Sequence, residues 1–328
     1  MTVDSRRLPY DTVAVTGASG YIGTALTAAL MDTAARTLAV SRDPTRARHL
    51  AMNPARAEVL TADVQERACW DELVRRANVI FHLAGNTSVY AEAANPEESF
   101  KTTIQPVVHL VAAAREADRR PRLLFASTAT VYGLTECLPV SEDVEPHPAT
   151  VYDLHKWAAE QQLQQASAEG VLDAVSLRLA NVYGPSSGLS SAGDRGVLNR
   201  VVTAILGGSD IVLYGDGRYV RDYVYIDDAV GAFLAAGIQP GITGRVFNVA
   251  TGQGIMVRDA FRLVADRVAQ VTQHRARVRE VAWPEGVNPI EFRNFAGDIR
   301  SISAACGWRP TVPLSEGIDR LIASLIDK

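Results

Sequence analysis

A short β-branched run, Thr12-Val-Ala-Val-Thr16, stops at a glycine, and Gly17-Ala-Ser-Gly20-Tyr-Ile-Gly23 leads straight into Thr24-Ala-Leu-Thr-Ala-Ala-Leu-Met31. No other stretch restricts the fold as much. An apolar run bounded at once by glycine reads as a buried parallel strand, and the segment after Gly23 has a helical pattern. Glycines at this spacing allow a tight turn and close backbone approach, and the N-terminus of the following helix receives a pyrophosphate. The pattern is Gly-x-x-Gly-x-x-Gly rather than Gly-x-Gly-x-x-Gly, but the mechanics are the same. Between a strand and a helix it points to dinucleotide binding, with Gly17, Ser19, Gly20, Tyr21, Ile22 and Gly23 as the contact candidates.

The next strand, residues 37–40, runs into Ser41-Arg42-Asp43-Pro44. A site that prefers NAD usually has an acidic residue here to take the ribose 2′-hydroxyl. This chain offers the Ser41 hydroxyl and the Arg42 guanidinium first, chemistry suited to a 2′-phosphate. Asp43 comes late and reads as leading the turn into Pro44. NADP(H) is therefore expected over NAD(H). Residues 58–64 read as a third strand, with Asp63 and Val64 at the adenine edge; a solvated strand-end aspartate is the plain alternative. Asn78-Val-Ile-Phe-His82 reads as a fourth strand, ending on Leu83, Ala84 and Gly85 beside the cofactor phosphates, with His82 packed. A long helix over residues 96–115 and a fifth strand over 123–128 follow. Strands alternating with helices describe an α/β fold, a Rossmann-type doubly wound parallel sheet.

Composition narrows the function classes. Of 328 residues, 47% are hydrophobic, enough for a sizeable core in one large domain or two linked ones. The net charge of −4 argues against nucleic-acid binding, which needs a concentrated basic face. Cys69, Cys137 and Cys306 have no metal-like spacing, and the six histidines form no cluster. No metal is expected, and the cysteine usage suits a reducing cytoplasm. No apolar leader precedes the first strand and no apolar run reaches membrane-spanning length, so neither a signal peptide nor a membrane span is expected.

The chemistry centres on Tyr152-Asp-Leu-His-Lys156. Tyrosine and lysine four residues apart share one helix face, and an ammonium beside a phenol favours the phenolate. A surface helix carrying an aromatic and a charge is the plain reading of that pair alone. Thr150 and Asp153 have capping-box spacing at its start, and Gly170 closes it.

From Ser127-Thr-Ala-Thr-Val-Tyr-Gly133 onward the chain resembles the extended short-chain dehydrogenase/reductases that act on nucleotide-activated sugars. The match spans essentially the whole chain. It rests on the glycine motif, His82-Leu-Ala-Gly85, Tyr152-x-x-x-Lys156 and Leu177-Arg-Leu-Ala-Asn-Val-Tyr-Gly-Pro185. It continues through Tyr214-Gly-Asp-Gly-Arg-Tyr-Val-Arg-Asp-Tyr-Val-Tyr-Ile-Asp-Asp228, Phe247-Asn-Val-Ala-Thr-Gly252 and Gly307-Trp-Arg-Pro310. The resemblance implies Thr128 as the catalytic Ser/Thr, Tyr152 as proton donor or acceptor, and Lys156 as its partner and a ribose ligand. It also implies a homodimer formed through the Tyr152 helix and the helix over 96–115, where Val107, Val108, Leu110 and Val111 offer an apolar face.

Departures within the family are informative. Sugar-nucleotide 4,6-dehydratases carry an Asp-Glu pair after the catalytic threonine, where this chain has Ala129-Thr130, so the acid and base for elimination are missing. Thr103 stands where many relatives have asparagine, and His155 where serine is common. Several stretches, among them Ala39-Val-Ser-Arg42, Asp194-Arg-Gly-Val197 and Phe292-Arg293, look closest to the NADPH-dependent dTDP-4-keto-6-deoxyhexose 4-ketoreductases of antibiotic deoxysugar pathways. Reduction of a C4 ketone, with the proton from Tyr152, is the leading expectation. A nucleotide-sugar 4-epimerase holding NAD is the alternative, and a non-catalytic NADP-binding sensor or scaffold a further one.

The smaller C-terminal α/β substrate domain is expected to take residues 179–221 and 251–328, entered through the Gly/Ser-rich loop over 184–193. The dinucleotide domain takes residues 10–178, with 222–250 returning to its sheet. A nucleotide sugar brings a diphosphate that cationic groups should meet. Arg221 and Arg293 are the candidates, although Asp222 and Glu291 could hold them in surface ion pairs. Asn181 could donate to a phosphate or sugar oxygen, or serve the turn before Gly184.

Overall fold

The computed structural model describes residues 9–33, 35–47, 53, 55–86, 89–117, 119–186, 196–272 and 274–326. Most of the Gly/Ser-rich loop and the Asp194-Arg195 pair lie outside them. The first part of the chain alternates β1 (Thr12–Thr16), α1 (Tyr21–Met31), β2 (Arg36–Ser41), β3 (Ala57–Thr61), α2 (Arg67–Arg76) and β4 (Val79–His82). Next come α3 (Val89–Ala94), α4 (Pro96–Glu116), β5 (Arg122–Thr128), α5 (Val151–Ala168) and β6 (Asp173–Leu179). The second part comprises β7 (Asn181–Tyr183), α6 (Val197–Leu206), β8 (Ile211–Tyr214), β9 (Val220–Tyr225), α7 (Ile226–Ile238) and β10 (Val246–Val249). The chain ends with β11 (Gly254–Met256), α8 (Val257–Thr272), β12 (Val278–Val281), α9 (Arg300–Cys306) and α10 (Leu314–Ile326).

Seven parallel strands form the main sheet in the order β10-β6-β5-β4-β1-β2-β3. Side chains alternate across a strand, so Val13 and Val15 of β1 enter one core and Ala14 enters the other. The first core packs against Leu26 and Leu30 of α1 and Val230 and Phe233 of α7. The second packs against Trp70 and Leu73 of α2, Leu110 of α4 and Leu163 of α5. Both faces are covered, which is why these strands read as continuous apolar runs. This is a Rossmann-like α/β fold.

A third core gathers β7, β8 and β9 with α6, α8 and α10. Here one expectation changes. Of residues 222–250, α7 and β10 join the large sheet, but Val220–Tyr225 does not. It lies in a three-stranded sheet between β11 and β7. The physical reason is that its apolar tyrosines, Tyr223 and Tyr225, pack into the third core beside Tyr183. The expected apolar face of α4 also changes. Val107 and Leu110 are fully buried in their own subunit and only Val108 is exposed. No helix among the described residues is long and apolar enough to cross a membrane.

Candidate active site

The strand order reverses between β1 and β4, and a crevice of about 590 Å³ opens there. Gly17, Ser19, Gly20, Ser41, Arg42, Asp63, Val64, Leu83, Ala84 and Gly85 all line it. Gly17 adopts a left-handed φ of +69°, and a Cβ there would stand 2.7 Å from the Ala84 backbone nitrogen. At Gly23 a Cβ would come within 2.0 Å of the Gly17 carbonyl oxygen. Only glycines let β1, α1 and the β4 turn approach so closely. Tyr21, Ile22 and Gly23 do not line the crevice. Tyr21 donates its hydroxyl to the Gly184 carbonyl at 2.8 Å, Ile22 packs between two cores, and Gly23 lies under Gly17. Sequence reading missed Asp43 and Thr102, which line the crevice too; the only signal for Asp43 was its place just past β2.

His82 is buried, with its Nδ1 2.7 Å from the Thr16 hydroxyl, and burial pulls its pKa down to about 3. The ring is therefore neutral and holds the β4 end against β1.

Tyr152, Lys156 and Glu160 are spaced by single turns on the buried face of α5. Thr150 caps this helix, its oxygen accepting from the Asp153 backbone N–H at 3.1 Å. Lys156 Nζ donates to the Ala126 carbonyl at 2.9 Å and sits 4.8 Å over the Phe125 ring. Burial lowers its pKa to about 8, against the pull of Glu92 and Glu160. Tyr152 does not behave as the Tyr-Lys spacing suggests. Burial, with Asp153 and Glu92 adding to it, raises its pKa in the protein alone. The desolvation of a wholly buried phenol outweighs the expected help from Lys156.

Thr128, Tyr152, Asn181, Arg221 and Arg293 line a second cavity of about 790 Å³. Lys156 lies behind it and lines neither space. The surface ion pairs weighed for the two arginines do not form. Asp222 turns away to accept from Thr251, Gly252 and Gly297, and Glu291 accepts from the Tyr90 hydroxyl at 3.2 Å. Arg221 is instead pinned on carbonyls, donating to Val220 at 3.1 Å and Glu291 at 2.8 Å and also to Arg293. Two neighbouring guanidiniums with no carboxylate in ion-pair contact with either among the described residues favour an anion. Burial and Arg293 accordingly depress the Arg221 pKa. Asn181 donates to the Asp222 carbonyl at 3.0 Å, which ties β7 to β9. An aromatic wall went unread because its members are far apart in the chain. Trp283 stacks on Tyr214 at 5.3 Å and meets Phe292 edge-on at 5.4 Å.

A crevice at the switch point, beside a cavity holding a Thr-Tyr pair backed by a buried lysine, is the arrangement of an extended short-chain dehydrogenase/reductase. Residues 13–250 match the NAD dependent epimerase/dehydratase family, and the chain belongs to it. UDP-glucose 4-epimerase from Mycolicibacterium smegmatis is 32% identical over 314 residues, covering 94% of this chain and 96% of that protein. The structure of UDP-glucose 4-epimerase from Thermotoga maritima with UDP-glucose superposes with a TM-score of 0.84 at 27% identity, covering 96% and 99% of the two chains. That of MoeE5 with UDP-glucuronic acid and NAD gives 0.81 at 26% identity, again over 96% and 99%.

These findings overturn the NADP(H) expectation. The family is NAD dependent, and the related MoeE5 structure holds NAD. The geometry supplies a reason. Ser41 spends its hydroxyl on the Asp43 carbonyl at 2.9 Å. Arg42 is largely exposed and faces Asp63 at 3.9 Å. Asp43 and Asp63 both line the crevice, paired with Arg46 at 3.2 Å and Arg42 at 3.9 Å, so the guanidiniums there already face carboxylates and the carboxylates are at hand for ribose hydroxyls. Ketoreductase closeness is likewise not what the similar proteins display. NAD fits the residues present, since Gly17, Gly20, Ala84 and Gly85 line the crevice with backbone and small side chains that leave room for a pyrophosphate, and Asp43 and Asp63 line it as well.

Proposed function

We propose that this protein is an NAD-dependent nucleotide-sugar 4-epimerase acting on a UDP-hexose. The observation that carries this reading is one cavity holding both the Thr128–Tyr152 pair and Arg221 and Arg293, neither of which forms an ion pair with a carboxylate among the described residues. The full-length similarity to UDP-glucose 4-epimerases supports the same reaction. Gly17, Gly20, Ala84 and Gly85 would hold the cofactor's phosphates, Asp43 or Asp63 its ribose hydroxyls, and Lys156 the nicotinamide ribose. When bound, NAD supplies a hydride acceptor that later gives the hydride back.

The chain's own groups do the rest. Thr128 stands beside the reacting C4 oxygen, and Tyr152 takes its proton and returns it. Arg221 and Arg293 clamp the diphosphate so that the hexose can turn and present its other face. The Trp283–Tyr214 wall offers a stacking surface for the nucleobase. Exposed Phe100 and Val108 on α4 and Leu154 on α5 support a homodimer through these helices, and the three free cysteines suit the cytoplasm.

The test is to denature purified protein and assay the released nucleotide, then to incubate the native enzyme with UDP-glucose or UDP-galactose without added cofactor. Released NAD and interconversion of the two sugars are expected. Stoichiometric loss of added NADH or NADPH with a 4-keto sugar, and no interconversion, would defeat the reading in favour of a reductase.

A further inference from the structure

Behind Thr128 runs a chain of hydroxyls that ends on a buried carboxylate. Thr128 Oγ1 lies 2.8 Å from Thr130 Oγ1. Thr130 Oγ1 donates in turn to Asp153 Oδ1. The other carboxylate oxygen, Oδ2, accepts from the Thr150 hydroxyl at 2.7 Å. Asp153 is fully buried, whereas Thr130 reaches the substrate cavity.

Each hydroxyl has one hydrogen, and an ionised carboxylate only accepts. With Asp153 ionised, the form that Thr130, Thr150 and Arg293 favour, Thr130 spends its hydrogen on Asp153, so the hydrogen between the two threonines belongs to Thr128. A second contact agrees, because the Thr130 backbone N–H donates to Thr128 Oγ1 at 3.2 Å. Thr128 is left with no hydrogen for the cavity and one free lone pair. We propose that Asp153, acting through Thr130, fixes the polarity of Thr128 so that it offers the cavity a single acceptor site, for one donor at a time, the Tyr152 hydroxyl or a substrate hydroxyl. Asp153 and Thr130 are thus positioning residues. The consequence is that the reacting sugar alcohol gives its one hydrogen to the Tyr152 oxygen rather than to Thr128, and that a 4-ketone, which has no hydrogen to donate, cannot use Thr128. Tyr152 is then the lone donor of the pair to the ketone, which leaves the intermediate loosely held while it turns.

The charged and titratable groups acting on this arrangement are Arg293, which favours the Asp153 carboxylate, and Tyr152 and Glu92, each of which Asp153 pushes toward its neutral form. Burial raises the Asp153 pKa, opposed by Thr130, Thr150 and Arg293.

The epimerase reading underlies the catalytic consequence, so one readout is chosen that needs no turnover. In Thr130→Val the Thr128 hydrogen is released and can be given to the Tyr152 oxygen, which favours phenolate. The [¹³Cζ]-tyrosine resonance of Tyr152 in the NAD-bound protein, assigned by its loss in Tyr152→Phe, should titrate about one pH unit lower in Thr130→Val than in wild type. Thr130→Ser should restore the wild-type value, and Asp153→Asn should shift it in the direction of Thr130→Val. Where epimerisation is measured, the acid limb of the kcat profile should move with it. An unchanged or raised Tyr152 titration in folded Thr130→Val overturns the proposal, whatever the enzyme turns over. Absence of epimerisation by wild type, with the titration shifted as expected, defeats the epimerase reading alone.

Discussion

Arg178 of β6 and Glu160 of α5 form an ion pair at 2.7 Å with both side chains withdrawn from solvent. Ser127, next to the catalytic candidate Thr128, donates to the same carboxylate. Glu160 lies one turn beyond Lys156, so this contact sets how the Tyr152–Lys156 face seats against β5 and β6. Removing one partner leaves an uncompensated buried charge, which costs about 3–5 kcal/mol. Glu160→Gln should lose that much stability in urea unfolding. A loss below about 1 kcal/mol would show that water or relaxation compensates Arg178.

Tyr152→Phe should lower kcat by about 10²–10⁴-fold while leaving KM nearly unchanged, because it removes the proton carrier and little of the binding surface. Steady-state kinetics decide it. A rate within about threefold of wild type would remove Tyr152 from the chemistry and reopen the sensor or scaffold alternative.

Arg221 and Arg293 are expected to act on substrate rather than cofactor. Arg293→Ala should raise KM for the nucleotide sugar about tenfold or more, with NAD affinity retained, since a charge-assisted hydrogen bond contributes about 1.5–3 kcal/mol. Arg221 also pins the carbonyls around Glu291, so Arg221→Lys, which keeps the charge, should fall between wild type and Arg221→Ala. An unchanged KM in Arg293→Ala would take it out of the site.

Lys156 gives a pH dependence with a definite sign. Its folded-state pKa is about 8, below the ordinary 10.5, so it carries its charge below about 8 and loses it above. The charge favours the Tyr152 phenolate, hence kcat should fall as pH rises through about 8. Between about 8 and 10.5 the unfolded chain binds the extra proton, so this group's contribution to stability improves with rising pH. Lys156→Met should be slow and lack the alkaline limb. A limb that persists in that variant must come from another group.

The order of elements in the first part of the chain was legible because each strand is a bounded apolar run and each glycine is a backbone requirement. Thr12–Thr16 and Val79–His82 fall where the pattern puts them, and the close approach at Gly17 follows from sterics alone. The polarity of the cofactor edge was not legible. Ser41, Arg42 and Asp43 are adjacent in sequence and all line the crevice, and which of them is left to meet a ribose hydroxyl depends on the hydrogen bonds each makes after β2 ends. Placement of Val220–Tyr225 was also hidden, since a short strand can extend either of two sheets.

Local periodicity and glycine sterics were enough to specify the doubly wound sheet, its dinucleotide crevice and the Tyr152–Lys156 helix face, because these depend on residues close in the chain. Tertiary structure alone decided the burial that raises Tyr152 and lowers Lys156, and the meeting of Arg221 with Arg293. It also decided the Thr128–Thr130–Asp153 chain. Each of these is set by desolvation and by contacts between separate elements, and no spacing in the sequence encodes how much water a folded site excludes.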